Sequence, residues 1–387
     1  MVVRGSREEP LRVALDGEPL LGRRTGVANF LYGLLEGLAG LAASGQARLD
    51  VGVFAVTWRM REEFAELLPP GARLLGRPMP ARPMRAVWQA GVDVPLEWFT
   101  GRLDVVHGTN SIVPPTRRAA RVVTVHDLSP LHWPEICEPA TRAYPEFIRR
   151  AVGGGAWVHT DSEFVAGEVV EAFGVPPERV RAIHPGIPAL AAGSGTAAGP
   201  APDVGAPPRY ILAVGTVEPR KDYPGLVRAF DALAGDRPDV GLVIVGADAW
   251  GAEDLHAALA ESPHRARIVR PGYLSDAELA GLIRSAAVLA YPSRYEGFGF
   301  PPLQAMAAGV PVVATAAGSI PEVVGTAAAT VPPGDTEALA AALARLLDDR
   351  DHAARQAAAG RERAALFTWE SLARGMAELY DDAARSR

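Results

Sequence analysis

The stretch YILAVGTVEPRKDYPGLVRAFDAL, residues 210–233, holds one complete unit of a single architecture. Tyr210–Val214 is an unbroken apolar, partly β-branched run, as expected of a strand buried on both faces. Gly215 follows at once and lets the backbone turn tightly. Asp222 is placed to cap a helix, and the apolar spacing of Tyr223–Leu233 is helical. The same alternation runs through the chain. Before this unit, strands are expected at Arg12–Leu15, Leu49–Val56, Val105–His107, Arg121–Val125 and Trp157–Thr160, and after it at Gly241–Val245, Arg267–Arg270, Ala287–Tyr291 and Val310–Ala314. Helical patterns lie between them at Val27–Leu41, Glu163–Phe173, Asp276–Ser285 and Thr336–Leu347. Such alternation implies parallel sheets with helices on both faces.

With 387 residues the chain is too long for one ordinary core and comfortable for two. Ala189–Pro208, rich in Ala, Gly and Pro, reads as a linker. This predicts an α/β protein of two doubly wound domains, residues 1–188 and 209–368, with a cleft between them. Ligands of such sheets bind beyond the carboxyl ends of the strands, so the loops after strands are where chemistry is expected.

Composition narrows the function. Apolar residues make up 48% and charged residues 22%, ordinary for a globular protein. No run is apolar over the eighteen or so residues that span a bilayer, and Met1–Pro10 is too polar for a secretory signal. A single cysteine, Cys137, has no intrachain partner, and the default expectation is a cytoplasmic protein. A net charge of −6 with no basic face argues against nucleic acid as a partner. One count is more telling: of 39 basic side chains only Lys221 is lysine. Where arginine fills nearly every cationic position, a surviving lysine points to a site that needs a compact charge on a flexible stem rather than a planar fork.

Lys221 lies in the loop Gly215–Asp222 beside Arg220, at the start of a helix. Exposed N–H groups and the helix dipole add to two adjacent cations there, and the three together make an anion site suited to a diphosphate. After the strand ending at Tyr291 comes Glu296-Gly297-Phe298-Gly299-Phe300, followed by Pro301 and Pro302 at a helix start. The glycines let backbone pass close to a ligand, and a carboxylate at 296 can accept hydrogen bonds from sugar hydroxyls.

The stretch Tyr291–Thr315, YPSRYEGFGFPPLQAMAAGVPVVAT, resembles the signature of family 4 retaining glycosyltransferases. VGTVEPRKD at Val214–Asp222 resembles that family's phosphate loop, PGYL at Pro271–Leu274 its base-binding turn, and AGSIPEVV at Ala317–Val324 the helix start that follows. The resemblance covers most of the second half in the right order and is closest to mannosyltransferase-like members. It implies the GT-B fold, two Rossmann-like domains facing across a cleft. It assigns Arg220 and Lys221 to the donor diphosphate, Glu296 to the donor sugar, and Gly215, Gly297, Phe298, Gly299 and Phe300 to the walls of the same subsite. Tyr273 and Leu274 would meet the nucleoside. So would Gln304, which stands where the family carries a second glutamate for the ribose; an amide offers one acceptor oxygen there, not two.

In the first half, Gly26 in the loop Leu21–Gly26 matches the family's glycine turn near the donor phosphates. His107 and Asp127 are candidates for the acceptor side. VTVHDLSPLHWPE resembles the catalytic-loop segment and makes His126 a second candidate catalytic residue beside Glu296; Asp127 equally suits a cap for the following turn. Ser162 with Glu163 reads as a helix cap. Phe367-Thr368-Trp369-Glu370 opens a last helix, 369–387, which in relatives packs back on the first domain. Arg77–Trp88 mixes arginine with Met, Val and Trp, so weak peripheral membrane contact stands beside ordinary packing as an expectation for it.

No CxxC, HExxH, Walker A or GxGxxG pattern is present, and Asp349-Arg350-Asp351 lies in a charged turn rather than after a strand. No catalytic metal and no cofactor are expected. The activity implied is transfer of a hexose, GDP-mannose favoured as donor, to a hydroxyl of a glycan, a lipid or a small molecule, with closure of the cleft excluding water. A nucleotide-sugar 2-epimerase of the same fold and a non-catalytic sugar-nucleotide-binding protein are the alternatives.

Overall fold

The computed structural model describes residues 9–21, 25–57, 61–80, 83–84, 87–88, 91–139, 141–188 and 202–386. They form two compact units. Unit 1 holds the described residues up to Leu131, Ala143–Gly186 and those from Thr368 onward; unit 2 holds His132–Arg142 and Ile187–Phe367.

Among the described residues, unit 1 is built on the strands β1 (Leu11–Asp16), β2 (Leu49–Phe54), β3 (Arg73–Leu74), β4 (Val105–Gly108), β5 (Ala120–Val125), β6 (Trp157–Thr160) and β7 (Val180–Ala182). They pair in parallel in the order β3-β2-β1-β4-β5-β6-β7. Unit 2 is built on β8 (Arg209–Val214), β9 (Val240–Val245), β10 (Ile268–Gly272), β11 (Val288–Tyr291), β12 (Val312–Thr315) and β13 (Ala329–Val331), in the order β10-β9-β8-β11-β12-β13. Each sheet therefore reverses its winding once, between β1 and β4 and between β8 and β11. Loops leaving adjacent strands at such a point diverge and open a crevice. In unit 2 those two loops are the ones that carry Lys221 and Glu296.

Burial explains why these runs are strands. All six residues of β9 are buried, as are Tyr210–Val214 of β8, because helices cover both faces. Helices start where the sequence offers a cap. Ser162, Asp222, Asp335 and Thr368 each accept a backbone N–H of the first turn, and Ser275 with Glu278 forms a full capping box. Asp349 is likewise a cap, for the helix Arg350–Ala364, and accepts from His352 N at 2.8 Å.

Three expectations change. The helix Gly26–Ala43 is long and apolar enough, by length and composition, to cross a membrane. Its apolar side is instead buried in unit 1: Phe30, Leu31, Leu34 and Leu38 are at most 1% exposed. A Cβ on Gly33 would sit 2.3 Å from the Trp369 indole of the last helix, Trp369–Arg385. In the segment 77–88, Met79 and Met84 are turned into the core, and the half-buried Trp88 donates its indole N–H to Val94 O at 3.0 Å. Of the expected linker, 189–201 lies outside the described residues, and Val204 and Ala206 pack on the core of unit 2.

Candidate functional site

The loop after β8 turns at Gly215, whose φ of +149° and Cβ position, 3.0 Å from the Tyr223 hydroxyl, leave no room for a side chain. Pro219–Lys221 form one 3-10 turn, and Asp222, in the left-handed region at φ +48°, ends it and caps the helix Tyr223–Ala234. The abrupt change of direction sends Lys221 inward rather than to solvent: it is 6% exposed. Its Nζ donates to Glu296 Oε1 at 2.6 Å and to the Tyr291 hydroxyl at 3.1 Å, and lies 5.0 Å from the centre of the Tyr291 ring.

The loop after β11 is shaped from the opposite side. Gly299, at φ +113°, precedes the helix Phe300–Ala308, which opens with Pro301 and Pro302. Ser319 donates to the carbonyls of Glu296 and Phe298 at 3.0 and 2.9 Å, and Gly318 (φ +58°) leaves space for the Glu296 backbone, which a Cβ would meet at 2.4 Å. The two loops are tied together by Arg294 N donating to Arg220 O at 2.7 Å and by Arg220 donating to Tyr295 O at 3.1 Å.

Glu296 thus becomes the meeting point. It is 5% exposed and accepts Lys221 on Oε1 and Arg220 on Oε2, the latter at 2.8 Å. Arg220 also pairs with Glu218 at 2.8 Å. Burial by itself would raise the Glu296 carboxyl, but Arg220 and Lys221 outweigh it and hold the group down at about 2. Burial lowers the Lys221 amine below the ordinary lysine value, a fall that Glu296 resists and Arg220 adds to. The expected pair of cations is therefore present, but not as an open anion site: two carboxylates already balance it. A groove of about 690 Å³ within unit 2 opens onto this knot and is lined by Glu218, Arg220, Arg228, Asp254, Glu261 and Trp133.

The remaining second-half candidates divide by exposure. Tyr273, at the end of β10, is 53% exposed, whereas Leu274 packs partly on the core. Gln304 is half-buried in the helix Phe300–Ala308. Phe298 is 5% exposed and meets Phe300 and Phe367 edge-on, so its side chain anchors the loop. Two features escape the sequence. Trp250, in the turn after β9, is 56% exposed; a lone aromatic in a polar loop gives no periodic signal. Trp133 comes from the short His132–Arg142 segment of unit 2 and packs against Tyr295 at 5.2 Å, next to Glu296.

The first-half candidates sit differently. His107, expected on the acceptor side, is an interior residue with 0% exposure. Its Nδ1 meets the Tyr380 hydroxyl and its Nε2 the Thr124 hydroxyl, both at 2.7 Å. Thr124 continues to His159 Nδ1 at 3.0 Å, and His159 Nε2 reaches Ile183 O at 3.1 Å. A carbonyl only accepts, so His159 carries its proton on Nε2. The order that satisfies every atom then runs Tyr380 to His107 to Thr124 to His159 to Ile183, with both rings neutral. Burial presses both rings below the ordinary histidine value, His159 to about 4. His126 is the contrast. Its Nδ1 lies 2.6 Å from Asp161 Oδ2 and its Nε2 3.0 Å from Thr109 O. Both partners are pure acceptors, so the ring donates twice and is an imidazolium. Burial opposes that charge, but the Asp161 carboxylate more than offsets it and raises the ring above its ordinary value. Neither nitrogen is left for a ligand. Asp127 accepts from Ser129 N at 3.0 Å and Ser129 Oγ at 2.6 Å, both on Oδ1, the cap its sequence equally suggested. Gly26 is the exposed first residue of its helix, capped by Thr25, and Gly22–Arg24 lie outside the described residues. Among the described residues no group of three or more His, Cys, Asp or Glu comes together as a metal site.

The chain is similar to known proteins in sequence and in fold. The model described as "Glycosyltransferase Family 4" matches residues 24–189, and that described as "Glycosyl transferases group 1" matches residues 202–363. The chain is 31% identical to the O-antigen chain mannosyltransferase B of Escherichia coli over 277 residues, 69% of this chain and 71% of that one. It is 32% identical to the D-inositol 3-phosphate glycosyltransferase of Thermobispora bispora, over 64% of this chain and 60% of that one. A shorter match, 46% identical over 28% of each chain, is to the MMP alpha-(1->4)-mannosyltransferase of Mycolicibacterium hassiacum. In fold it is similar to Anabaena HepE, solved in complex with UDP and glucose, at a TM-score of 0.70 and 17% identity, covering 96% of this chain and 100% of that one. WaaG, a glycosyltransferase involved in lipopolysaccharide biosynthesis, is similar at a TM-score of 0.70 and 20% identity, covering 95% and 98%.

Proposed function

The chain belongs to the family 4 glycosyltransferases, with the GT-B fold, and from that premise we propose that it transfers a hexose from a nucleoside diphosphate sugar to an acceptor hydroxyl with retention at the anomeric carbon. The observation that carries the proposal is the convergence of Lys221 and Arg220 on one buried carboxylate at the switch point of unit 2. When the glycosidic bond breaks, negative charge grows on the leaving diphosphate. Cations fixed in advance in a poorly hydrated site stabilise that charge without reorganising. Lys221 and Arg220 take that role, and no metal is required of the protein for it. Glu296 orients the sugar. His126, with both nitrogens engaged, is not a base; the acceptor proton then passes to the leaving phosphate, on the face the nucleophile attacks.

GDP-mannose is the favoured donor, because two of the similar proteins are named as mannosyltransferases. UDP-sugars rank next, since HepE was solved with UDP and glucose. The acceptor is a hydroxyl of a glycan, a lipid or a small molecule. A panel of GDP-, UDP- and ADP-sugars tests this, by thermal shift for binding and mass spectrometry of acceptor mixtures for product, with and without a chelator. GDP-mannose is expected to be consumed with chelator present. Turnover of UDP-glucose alone would reassign the donor, loss of turnover on chelation would sink the metal-free reading, and no stabilisation by any nucleotide would sink the phosphate assignment.

A further inference from the structure

We infer that Glu296 is the resident anion of the diphosphate site: a donor's phosphates take its place between Lys221 and Arg220, and the carboxylate they release is the group that meets the sugar. This rests on the donor-binding reading above and specifies how that site chooses its ligand.

The geometry is that of a substitute. The two oxygens of Glu296 bridge the two cations, Oε1 to Lys221 at 2.6 Å and Oε2 to Arg220 at 2.8 Å, as two oxygens of a phosphate would. Both ends of the Lys221 bridge are closed to solvent, with side chains 8% and 7% exposed. The knot of Glu218, Glu296, Arg220 and Lys221 is formally neutral, so a diphosphate adds negative charge to a neutral, poorly hydrated cluster. Like charges at such range in low dielectric repel strongly. Glu296 is the carboxylate shared by both cations, and it must yield them. A released, desolvated carboxylate is costly unless it finds donors, and the hexose hydroxyls of an intact donor supply them. A nucleoside diphosphate without its sugar supplies no hexose hydroxyl to it. The site therefore favours the intact donor over the stripped product, and after transfer the returning Glu296 competes the product away from the cations.

The test is calorimetric titration of the whole protein and of Glu296→Gln with inorganic pyrophosphate, GDP, GDP-mannose, UDP and UDP-glucose. The amide keeps the shape and removes the competing charge. Pyrophosphate and the bare nucleoside diphosphates are expected to bind Glu296→Gln about tenfold or more tightly than wild type, the scale of one lost charge-assisted hydrogen bond. The preference for sugar-bearing donor over bare diphosphate is expected to collapse. Equal or weaker pyrophosphate binding by the variant overturns the inference. If wild type and variant both fail to bind any nucleoside diphosphate, the donor-binding reading itself falls. Should Glu296→Gln not fold, Glu296→Asp keeps the charge but shortens its reach. A smaller tightening there supports the exchange, and none overturns it.

Discussion

The two units place buried and half-buried polar groups near the ends of their strands and use them in opposite ways. In unit 2, Lys221, Arg220, Glu218 and Glu296 are held by one another across two loops that leave β8 and β11. In unit 1, Tyr380, His107, Thr124, His159 and Ile183 form a hydrogen-bond chain in which every partner is supplied from within, and His126 is spent on Asp161 and Thr109. The first set is full charges whose balance a charged ligand alters. The second is mostly neutral groups whose order a ligand would only break. Burial and a strand-end position are common to both and do not mark a binding site. What marks it is whether the groups are balanced against each other or consumed by the fold.

The sharpest way to break this contrast is Lys221→Arg. Thirty-eight other basic positions are arginine, yet a planar fork does not fit the closed slot between Gly215, Tyr291 and Glu296. Donor turnover is expected to fall about a hundredfold or more, measured as kcat/KM against the best donor; near wild-type turnover would return Lys221 to a generic cation. Next in size is Thr124→Val. It removes the hydroxyl that accepts from His107 and donates to His159, leaving two buried ring nitrogens unpaired at a cost of about 2–4 kcal/mol. Denaturant midpoints should show that loss while the affinity for nucleoside diphosphate stays within about twofold. A large affinity change would mean that the histidine chain serves the ligand after all.

The pH dependence has a definite sign. His159 titrates at about 4 in the folded protein against an ordinary 6.5. Above 6.5 the ring is neutral in both states and its contribution is complete. As pH falls from 6.5 towards 4 the unfolded chain takes up the proton and the folded one does not, so stability drains by about 3 kcal/mol. His126 runs the other way: raised in the fold, its contribution is full below 6.5 and is lost as pH rises through its folded value. Histidine ¹⁵N resonances check both, with His159 expected neutral at pH 5 and His126 expected to lose its charge at a higher pH than an ordinary histidine. The reverse pattern would undo the assignment of the two rings. The smallest effect is expected from Tyr291→Phe, which deletes one hydrogen bond to Lys221. It should weaken diphosphate binding by about 1 kcal/mol at most.

Much of the fold was legible because parallel strands buried on both faces announce themselves as apolar runs. The runs at Tyr210–Val214 and Gly241–Val245 correspond to β8 and β9 nearly residue for residue. The strands not foreseen, β3, β7 and β13, are two or three residues long at or near sheet edges, too short for any periodicity to register. The candidate site was legible at Arg220 and Lys221, since loop position and composition both pointed there, and at Glu296 mainly through the family resemblance. Their mutual pairing was not. Nothing in the spacing of residues 221 and 296 says that the carboxylate turns inward, because that depends on Ser319 and Gly318 holding its backbone from a third loop. His107 was misplaced for the same reason. Its partner Tyr380 lies 273 residues away, beyond the reach of any local pattern.

The division of the chain also bears on how the protein is made. Unit 1 is assembled from three stretches, and its last, the helix Trp369–Arg385, fills a place against Gly33 and Gly37 of the helix Gly26–Ala43. A ribosome delivers that helix only after all of unit 2. Until then the groove that receives Trp369, Ala373 and Tyr380 is an apolar surface without its cover, and His107 has no hydroxyl for its Nδ1. Unit 2 is complete in sequence first although it begins later, so it is free to fold during synthesis while unit 1 waits. A nascent chain stalled before Thr368 would carry the finished pairing of Lys221, Arg220 and Glu296 while unit 1 still lacked its last helix, a state in which a chaperone would have only one of the two units to act on.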